Sequence, residues 1–474
     1  MPHIRILRHY IPTPFILLGL FEGLLAVAAA YLGYFTRYGV FPENLDYLIP
    51  ASVFALVLVI AMGAMGVYES RVREGMVGMS LRTAVSVFFL GTAAMAMLSY
   101  FVPPIAIDRS VLLFASIEAF VLIILFRWII FSLVDDKTFK KRVVVIGTGQ
   151  RALKIATRMR RRSDQRSFVL VGFLDLDNGS SECAIDGTGA NIIRSDLPLK
   201  EFCREYDVHE FVIAMDERRR NQDAGGGLPL ESLMDCRLSG INVCDVQQFI
   251  EREACKVDVD LLRTSWMVFS DGFIMSAWRA GTKRGLDLTA SVLLLAIAWP
   301  VMLVTAFFIG LESHFKGSIF YRQTRTGFDG KNFDVIKFRS MSVDTEAPGQ
   351  AVWATEHDSR VTRVGSFIRN TRIDELPQLF NVFKGDMSFV GPRPERPVFV
   401  DELTEIIPFY NQRHRVKPGI TGWAQLCYPY GASVEDAKEK LQYDLYYLKN
   451  HSILLDLIIL LQTIEVVLIG EGAR

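Results

Sequence analysis

The chain of 474 residues has no excess charge of either sign, because 52 lysine and arginine side chains balance 52 aspartate and glutamate side chains. This balance argues against nucleic-acid binding and against a disordered acidic or basic tail. Cysteine is scarce, and the six thiols include no Cys-x-x-Cys pair, so neither a disulfide framework nor a zinc site is indicated. We expect reduced thiols in the core. Apolar sequence is abundant instead: the mean hydropathy of +0.25 is too high for an ordinary soluble protein.

Four apolar runs fill the N-terminal third, at residues 15–35, 48–68, 84–102 and 111–134. Each is close to the roughly 20 residues that a helix needs to cross the hydrocarbon core. Basic residues concentrate before the first run, between the second and third, and after the fourth. The positive-inside rule therefore places the N-terminus and everything after residue 134 in the cytoplasm. We predict a four-helix transmembrane module over residues 1–136.

Three ionisable residues, Glu22, Glu118 and Arg127, lie inside these apolar runs. Such groups are costly in a membrane and often functional. Charges at helix ends, or facing partner helices, would explain them equally well. The sequence assigns them no role.

A Rossmann-like domain of the kind that binds NAD or CoA is predicted over residues 137–255. A β-branched strand runs into Gly147-Thr-Gly149-Gln-Arg-Ala152, and further strand-like runs follow at 168–174, 210–215 and 241–246. Gly147 and Gly149 would allow a phosphate to approach the N-terminus of the next helix. Asp175, the next acidic residue after a strand, comes late for a ribose contact. Nucleotide binding and a structural or regulatory role both stay open.

Membrane helices joined to such a domain also suggest a nucleotide-sugar dehydratase. Short-chain enzymes of that kind use a Tyr-x-x-x-Lys pair, in which the lysine lowers the pKa of the catalytic phenol. No tyrosine of this chain has a lysine four positions later. The chemistry is therefore expected further along.

After a linker at 256–282, residues 288–311 form an uncharged run with Pro300 in its middle. Proline disrupts a helix, and basic residues flank both ends of the run, so both ends are expected on the cytoplasmic side. These features predict a re-entrant helix hairpin over 286–311, and a kinked spanning helix is the alternative. A third apolar stretch, 453–469, is interrupted by charged and polar residues and predicts a C-terminal interfacial helix.

Phosphate chemistry is indicated between these membrane contacts. Residues 316–417 contain 16 basic and 13 acidic side chains, and arginine, which grips phosphate through a planar fork, is prominent there. Two adjacent carboxylates, Asp374 and Glu375, open a helical turn. They could simply cap that helix, but capping does not explain the rigid Gly391-Pro-Arg393-Pro394 segment that follows.

Six motifs occur in order over some 170 residues of this region. They are Lys283-Arg-Gly-Leu-Asp287, Lys337-Phe-Arg339-Ser-Met341, Arg372-Ile-Asp-Glu-Leu-Pro-Gln-Leu379, Gly385-Asp-Met-Ser-Phe-Val-Gly-Pro-Arg-Pro394, Arg413-His-Arg-Val-Lys-Pro-Gly-Ile-Thr-Gly-Trp-Ala-Gln425 and Tyr443-Asp-Leu-Tyr-Tyr447. The run resembles the bacterial polyprenyl-phosphate hexose-1-phosphate transferases, the monotopic phosphoglycosyl transferases that start exopolysaccharide or O-antigen assembly. With its leading helices and Rossmann-like domain, the chain resembles the long-form members.

The resemblance implies a multidomain membrane protein: a four-helix transmembrane module, a Rossmann-like α/β domain, and an α/β catalytic domain at 283–474 with a re-entrant helix hairpin. It implies a bacterial inner-membrane location, with the soluble and catalytic domains cytoplasmic, and is compatible with a homodimer. The implied substrates are a UDP-hexose, with UDP-glucose or UDP-galactose as first choices, and polyprenyl phosphate. No nucleic-acid partner is expected.

The resemblance also implies roles for individual residues. Asp374 would attack the β-phosphorus and release UMP, and Asp374 with Glu375 would hold Mg²⁺. The implied phosphate or uridine contacts are Lys337, Arg339, Arg372, Arg393, Arg413 and His414, although several of these could equally be structural. We expect Asp287 to pair with Lys283 or Arg284 rather than orient a lipid phosphate. The alternatives are a non-catalytic scaffold and a glycosyltransferase that releases UDP.

Overall fold

The computed structural model describes residues 3–6, 9–42, 47–68, 76–133, 140–159, 165, 167–176, 183–195, 197–216, 228–273, 276–341, 361–428, 431 and 433–469. Contacts divide the chain into two compact units: the first comprises residues 1–6 and 10–261, and the second comprises residues 7–9 and 262–474. Each unit has its own core of buried apolar side chains.

The first unit begins with two short paired strands and a bundle of apolar helices. These elements are β1 (His3–Ile6), β2 (His9–Pro12), α1 (Thr13–Tyr38), α2 (Leu48–Ala64), α3 (Met76–Ala84), a π-helical segment (Val85–Gly91), α4 (Thr92–Phe101), a 3-10 turn (Pro103–Ile105) and α5 (Arg109–Leu133). By length and composition, Phe15–Tyr38, Met76–Phe101 and Arg109–Ile130 could each cross a membrane, whereas α2 is shorter, at 17 residues. All four predicted helical segments are present.

Small side chains let the bundle helices approach closely, as is common where helices pack within membranes. A Cβ atom on Gly33 of α1 would lie 2.5 Å from the backbone nitrogen of Ala115 in α5, so only glycine fits there. Ala26, Ala29 and Ala30 of α1 are fully buried in the same core.

Glu22 and Arg127, unassigned from the sequence, form a buried ion pair inside this bundle. Arg127 Nε donates to Glu22 Oε1 at 2.5 Å, and Arg127 Nη1 donates to Thr83 at 2.7 Å. The Tyr68 hydroxyl donates to the other oxygen of Glu22 at 2.6 Å. Glu118, in contrast, accepts a hydrogen bond from Thr36. The charges of Glu22 and Arg127 thus face partner helices.

The first unit continues as a five-stranded parallel sheet of order β5-β4-β3-β6-β7. Its elements are β3 (Lys141–Ile146), α6 (Gln150–Arg158), β4 (Phe168–Leu174), β5 (Ile192–Ile193), α7 (Leu199–Glu205), β6 (Glu210–Ile213), α8 (Leu230–Leu238), β7 (Asn242–Asp245) and α9 (Val246–Ala254), followed by a 3-10 turn (Val259–Leu261). The predicted Rossmann-like sheet is confirmed. The two-residue strand β5 was not predicted, because so short a strand has no alternation to detect.

The second unit contains two small strand pairs and several helices. Its elements are α10 (Thr264–Phe269), α11 (Ala277–Glu312), β8 (Phe320–Thr326), a 3-10 turn (Phe328–Gly330), β9 (Asn332–Phe338), α12 (Arg363–Asn370), a 3-10 turn (Ile373–Glu375), α13 (Gln378–Lys384), β10 (Ser388–Val390), α14 (Pro397–Ile406), a 3-10 segment (Tyr410–Arg415), β11 (Gly419–Thr421), α15 (Trp423–Cys427), α16 (Val434–Asn450) and α17 (Ile453–Ile469). Strands β8 and β9 are antiparallel, and β10 and β11 are parallel.

Helix α11 covers the segment that was predicted to form a hairpin. It is one continuous helix of 36 residues, with Pro300 inside it. Proline removes one backbone donor, and the turns on either side can still form their own hydrogen bonds. Side chains on both sides of Pro300 pack against Phe338 and Ile368 in one cluster; they include Leu295, Ala298, Met302, Ala306 and Ile309. The expected break between two helices is therefore not seen, and the re-entrant path stays a prediction.

Helix α17 has the bounds predicted for the C-terminal helix, Ile453–Ile469. Its Asp456 does not face solvent: the side chain is buried and pairs with Lys283 of α11 at 2.7 Å. The interfacial position of α17 stays a prediction.

Candidate active site

The Asp374 and Glu375 carboxylates lie on a 3-10 turn between α12 and α13. Thr362 caps α12 by accepting a hydrogen bond from the Gly365 backbone N–H at 2.9 Å. After α12 the chain turns sharply at Arg372, whose φ of +59° lies in the left-handed region. This backbone conformation, uncommon for a non-glycine residue, starts the turn on which Asp374 is buried.

Glu375 is the negative centre of a cationic cluster. Lys337 of β9 donates to Glu375 Oε1 at 2.8 Å, and Arg393, beyond β10, places Nη2 3.7 Å from the same oxygen. Burial alone would raise the pKa of Glu375, but Lys337 and Arg393 outweigh burial and lower it to about 2. The structure thus brings together three predicted site residues from separate segments.

Asp374 differs electrostatically from its neighbour. Its side chain is 8% exposed, and burial raises the pKa of the Asp374 carboxyl above its usual range, although Lys337 acts against that shift. A carboxylate with a raised pKa is more basic and hence more nucleophilic than an exposed one. Arg372 and Arg369 also act electrostatically on Asp374.

Arg413 lies behind the site and positions its backbone. Its guanidinium pairs with Asp444 at 2.8 Å, donates to the Tyr410 hydroxyl at 2.7 Å and donates to the Arg393 carbonyl at 3.0 Å. Arg413 is 5% exposed, and its contact with the Arg393 carbonyl holds the Gly-Pro-Arg-Pro segment in place. Burial raises the pKa of Asp444 to about 6, even though Arg413 acts to lower it.

His414 and Arg339 have surroundings of their own. His414 is buried, and burial together with Arg413 lowers its pKa to about 4. In the part of the chain that the structure describes, no hydrogen-bond partner reaches its Nε2 atom. Arg339 is half-buried and donates to the Lys316 carbonyl at 3.3 Å.

The expected pairing of Asp287 with Lys283 or Arg284 is wrong. Asp287 Oδ1 accepts hydrogen bonds from the Ser388 hydroxyl at 3.0 Å and the Phe389 backbone N–H at 3.1 Å. Lys283 instead pairs with Asp456, and Arg284 donates to the carbonyls of Val382 and Phe383. Burial explains the difference: Asp287 satisfies the donors of β10 that come within reach of α11.

A polar network that sequence reasoning missed joins α11, α16 and α17. The Tyr447 hydroxyl donates to Asp456 at 2.7 Å, and Lys283 donates to both residues. Tyr447 also reaches the Val390 carbonyl of β10. The only sequence signals were the Tyr443-to-Tyr447 motif and a charge within an apolar run.

Two carboxylates are suitable hard ligands for Mg²⁺, which proteins often hold through one or two carboxylates together with substrate phosphates. Asp374 and Glu375 fit that kind of shared site. Over the described residues, no group of three or more His, Cys, Asp or Glu side chains is placed to hold a metal.

An apolar cavity of about 620 Å³ adjoins the carboxylate turn. Its lining comes from the second half of α11, from α12 and from Ile373, the residue before Asp374, and includes Pro300, Val304, Phe308 and Phe367. Arg363 supplies a charged group to this lining.

The second candidate site lies at Gly147 and Gly149. The backbone N–H groups of Gln150 and Arg151, at the start of α6, donate to the Asp216 carboxylate at 2.7 and 3.0 Å. Asp175 is buried and lies 3.6 Å from Arg194.

These features define a membrane-associated α/β protein with a cationic carboxylate site beside an apolar helix. A family described as "Bacterial sugar transferase" matches residues 278–470, and one described as "CoA-binding domain" matches residues 63–222. The chain belongs to the bacterial sugar transferase family, which confirms the resemblance found in the sequence.

Named relatives support this assignment. An Aeromonas hydrophila UDP-N-acetylgalactosamine-undecaprenyl-phosphate N-acetylgalactosaminephosphotransferase is 44% identical over 242 residues, 51% of this chain and 56% of the relative. A Komagataeibacter xylinus undecaprenyl-phosphate glucose phosphotransferase is 36% identical over 334 residues, 69% of this chain and 58% of the relative. A Caulobacter vibrioides UDP-glucose:undecaprenyl-phosphate glucose-1-phosphate transferase is 41% identical over 193 residues, 40% of this chain and 71% of the relative. The chain spans less than two thirds of the first two relatives.

Proposed function

We propose that this protein transfers a hexose-1-phosphate from a UDP-sugar to polyprenyl phosphate, through a covalent aspartyl-phosphosugar intermediate, with release of UMP. The observation that carries the proposal is the contrast within one turn. Glu375 pairs with Lys337 and Arg393, whereas its neighbour Asp374 is buried beside this cluster. Family membership supports the same reaction class.

In the first step, a carboxylate oxygen of Asp374 attacks the β-phosphorus of the UDP-sugar. The new bond is an acyl phosphate, and the bond from the β-phosphorus to the bridging oxygen breaks, so UMP leaves with the electron pair. Lys337, Arg372 and Arg393 offset the negative charge of the diphosphate. Asp374 and Glu375 would hold Mg²⁺, which would supply further neutralisation of the diphosphate charge.

In the second step, an oxygen of polyprenyl phosphate attacks the same phosphorus and displaces the Asp374 carboxylate. The product is a polyprenyl diphosphate sugar, and the enzyme returns to its starting form. The cavity next to Ile373 supports this step, because its apolar lining suits part of an isoprenoid chain while Arg363 suits a phosphate. The exposed apolar side chains of α11 suit contact with lipid.

The sugar is proposed as a class. The relatives' names mention glucose and N-acetylgalactosamine, so a UDP-hexose or a UDP-N-acetylhexosamine is the proposed donor. The reaction would be the first membrane step of exopolysaccharide or O-antigen biosynthesis. A homodimer stays a prediction.

The proposed location is the bacterial inner membrane, with a multi-pass N-terminal module and cytoplasmic soluble and catalytic domains. A re-entrant path for α11 keeps both its ends on one side. A cysteine replacing exposed Lys331 should therefore resist membrane-impermeant thiol reagents in intact cells and react after lysis. Labelling from outside intact cells would contradict this topology.

Product analysis tests the reaction. Purified protein in lipid nanodiscs, given Mg²⁺, a panel of UDP-sugars and undecaprenyl phosphate, should release UMP and form a lipid-linked sugar phosphate. Without the lipid, acid quenching should trap labelled sugar phosphate on the protein, and Asp374→Asn should abolish the label. Asp401→Asn, an exposed aspartate on α14, is the matched control. Release of UDP alone would favour a glycosyltransferase, and absence of turnover with every donor would favour a scaffold.

A further inference from the structure

The Rossmann-like domain carries a phosphate-binding fingerprint whose donors are already used within the chain. The first N–H groups of a helix normally receive the phosphate in such folds. Here the N–H groups of Gln150 and Arg151 both donate to Asp216, which follows β6. One carboxylate therefore takes the two backbone donors that a phosphate would need.

The two fingerprint glycines are explained by the same arrangement. A Cβ on Gly149 would lie 1.9 Å from Asp216 Oδ2. Gly147 has a φ of +113°, and a Cβ there would lie 3.0 Å from the Ala214 carbonyl oxygen. Both glycines permit close approach of the segment that ends β6, so neither requires a ligand.

The position expected to contact a ribose is also engaged internally. Asp175, at the end of β4, is buried, and its Oδ2 atom lies 3.6 Å from Arg194 Nε. The backbone N–H of Asp175 donates to the Ile193 carbonyl in β5. Asp175 thus takes part in joining the β4 and β5 ends.

We infer that the Asp216 carboxylate occupies the place of a phosphate at the start of α6. The N–H groups of this domain then bind the chain's own carboxylate instead of CoA or a dinucleotide. An incoming phosphate would meet a like charge at the helix terminus and would have to displace it. The residues present therefore do not fit the ligand that the family description names. The hydrogen bonds from Gln150 and Arg151 to Asp216 connect the start of α6 to the segment after β6.

Hydrogen exchange of the full-length protein in detergent micelles, followed by mass spectrometry of peptides covering 149–152, tests this inference. Asp216→Ala should speed exchange there by about 2- to 30-fold, the range expected for loss of a helix cap. Inorganic phosphate should restore slow exchange in Asp216→Ala and have no effect on the wild type. Asp186→Ala, the same substitution at an exposed aspartate of the same domain, should match the wild type.

A double-mutant cycle gives an independent arm. The Gly149 backbone (φ −82°, ψ −164°) is open to alanine, so Gly149→Ala should act only by pushing Asp216 aside. Gly149→Ala and Asp216→Ala should each speed exchange, and the double variant should exchange no faster than either. Should Asp216→Ala fail to fold, Asp216→Asn, which keeps one acceptor oxygen, replaces it in the cycle.

Three results would overturn the inference. One is slower exchange at 149–152 in the wild type on addition of CoA, NAD⁺ or ATP. Another is unchanged exchange in Asp216→Ala or its replacement variant. The third is additive effects of the two substitutions, which would mean that Gly149 does not serve Asp216.

Discussion

Two turns of this protein place carboxylates where phosphate chemistry is expected, and their surroundings differ. At the start of α6, Asp216 accepts from two backbone N–H groups and uses the donors of the motif. At the 3-10 turn after α12, Glu375 draws Lys337 and Arg393 together, and Asp374 is buried beside them. The backbone donors of a glycine fingerprint can therefore be satisfied within the chain. The cations around Glu375, in contrast, are side chains that could also bind a substrate phosphate.

The largest expected difference is between the two aspartates. Asp374→Asn should lower UMP release at least about a thousandfold, because the substitution removes the proposed nucleophile and with it the covalent route. Asp216→Asn should leave UMP release close to the wild-type rate. Steady-state UMP release in nanodiscs measures both. A similar loss of UMP release in the two variants would contradict the different roles proposed for the two turns.

The next largest effect is expected for the buried ion pair that supports the segment beside the carboxylate turn. Arg413→Ala leaves Asp444 buried without its cation and should reduce the free energy of unfolding of the second unit by about 3 to 5 kcal/mol. Arg415→Ala is the control, because Arg415 is exposed and lies 3.8 Å from Asp329, so its loss should cost below about 1 kcal/mol. Pulse proteolysis in urea measures both. Equal effects would show that the buried pair does not hold the unit together.

The role of the cations around the Asp374 and Glu375 turn can be tested at Lys337. Lys337→Met should lower UMP release about a hundredfold, as loss of one charge-stabilising donor does in other active sites. Lys337→Arg should recover part of that loss, and Lys331→Met, at an exposed lysine just before β9, should have little effect. Full activity of Lys337→Met would mean that Lys337 only balances Glu375.

The smallest expected effect concerns pH. Since the pKa of His414 is lowered to about 4, the folded protein keeps it neutral where the unfolded chain, with a pKa near 6.5, binds a proton. Stability should therefore fall by about 2 kcal/mol between pH 7 and pH 5 through this residue alone. His414→Gln should remove that part of the pH dependence, whereas His314→Gln, at an exposed histidine, should not. Urea unfolding at both pH values measures the change in the free energy of unfolding. If His414→Gln lost as much stability between pH 7 and pH 5 as the wild type, the prediction would be contradicted.

Local patterns predicted much of the fold. The strand at Phe168–Leu174 and helix α17 have the predicted bounds, because apolar periodicity and chain punctuation specify such elements locally. The four N-terminal helices are present for the same reason. A helix that continues through Pro300 was kept only as the alternative to a hairpin. Proline marks a weak point in the sequence, whereas the packing of both halves of α11 in one cluster depends on distant residues.

For the candidate site, the resemblance implied a group of eight residues, and the structure brings three of them, Glu375, Lys337 and Arg393, within ion-pair distance. The other five are Asp374, Arg339, Arg372, Arg413 and His414. Sequence could not reveal that Arg413 faces Asp444, or that Asp287 serves β10, because these partners are 31 and 101 residues away. Burial decides such pairings: a polar group removed from water bonds to whichever donor the fold brings near.

By itself, the sequence determined the family, the apolar helices, the parallel sheet and the candidate carboxylates, because these depend on residue type and short-range spacing. Only the tertiary structure decided which charges meet. Zero net charge is compatible with any pairing, and the choice depends on which side chains are buried together. As a result, Asp216 accepts the backbone hydrogen bonds at the start of α6, whereas Glu375 lies among the side chains of Lys337 and Arg393.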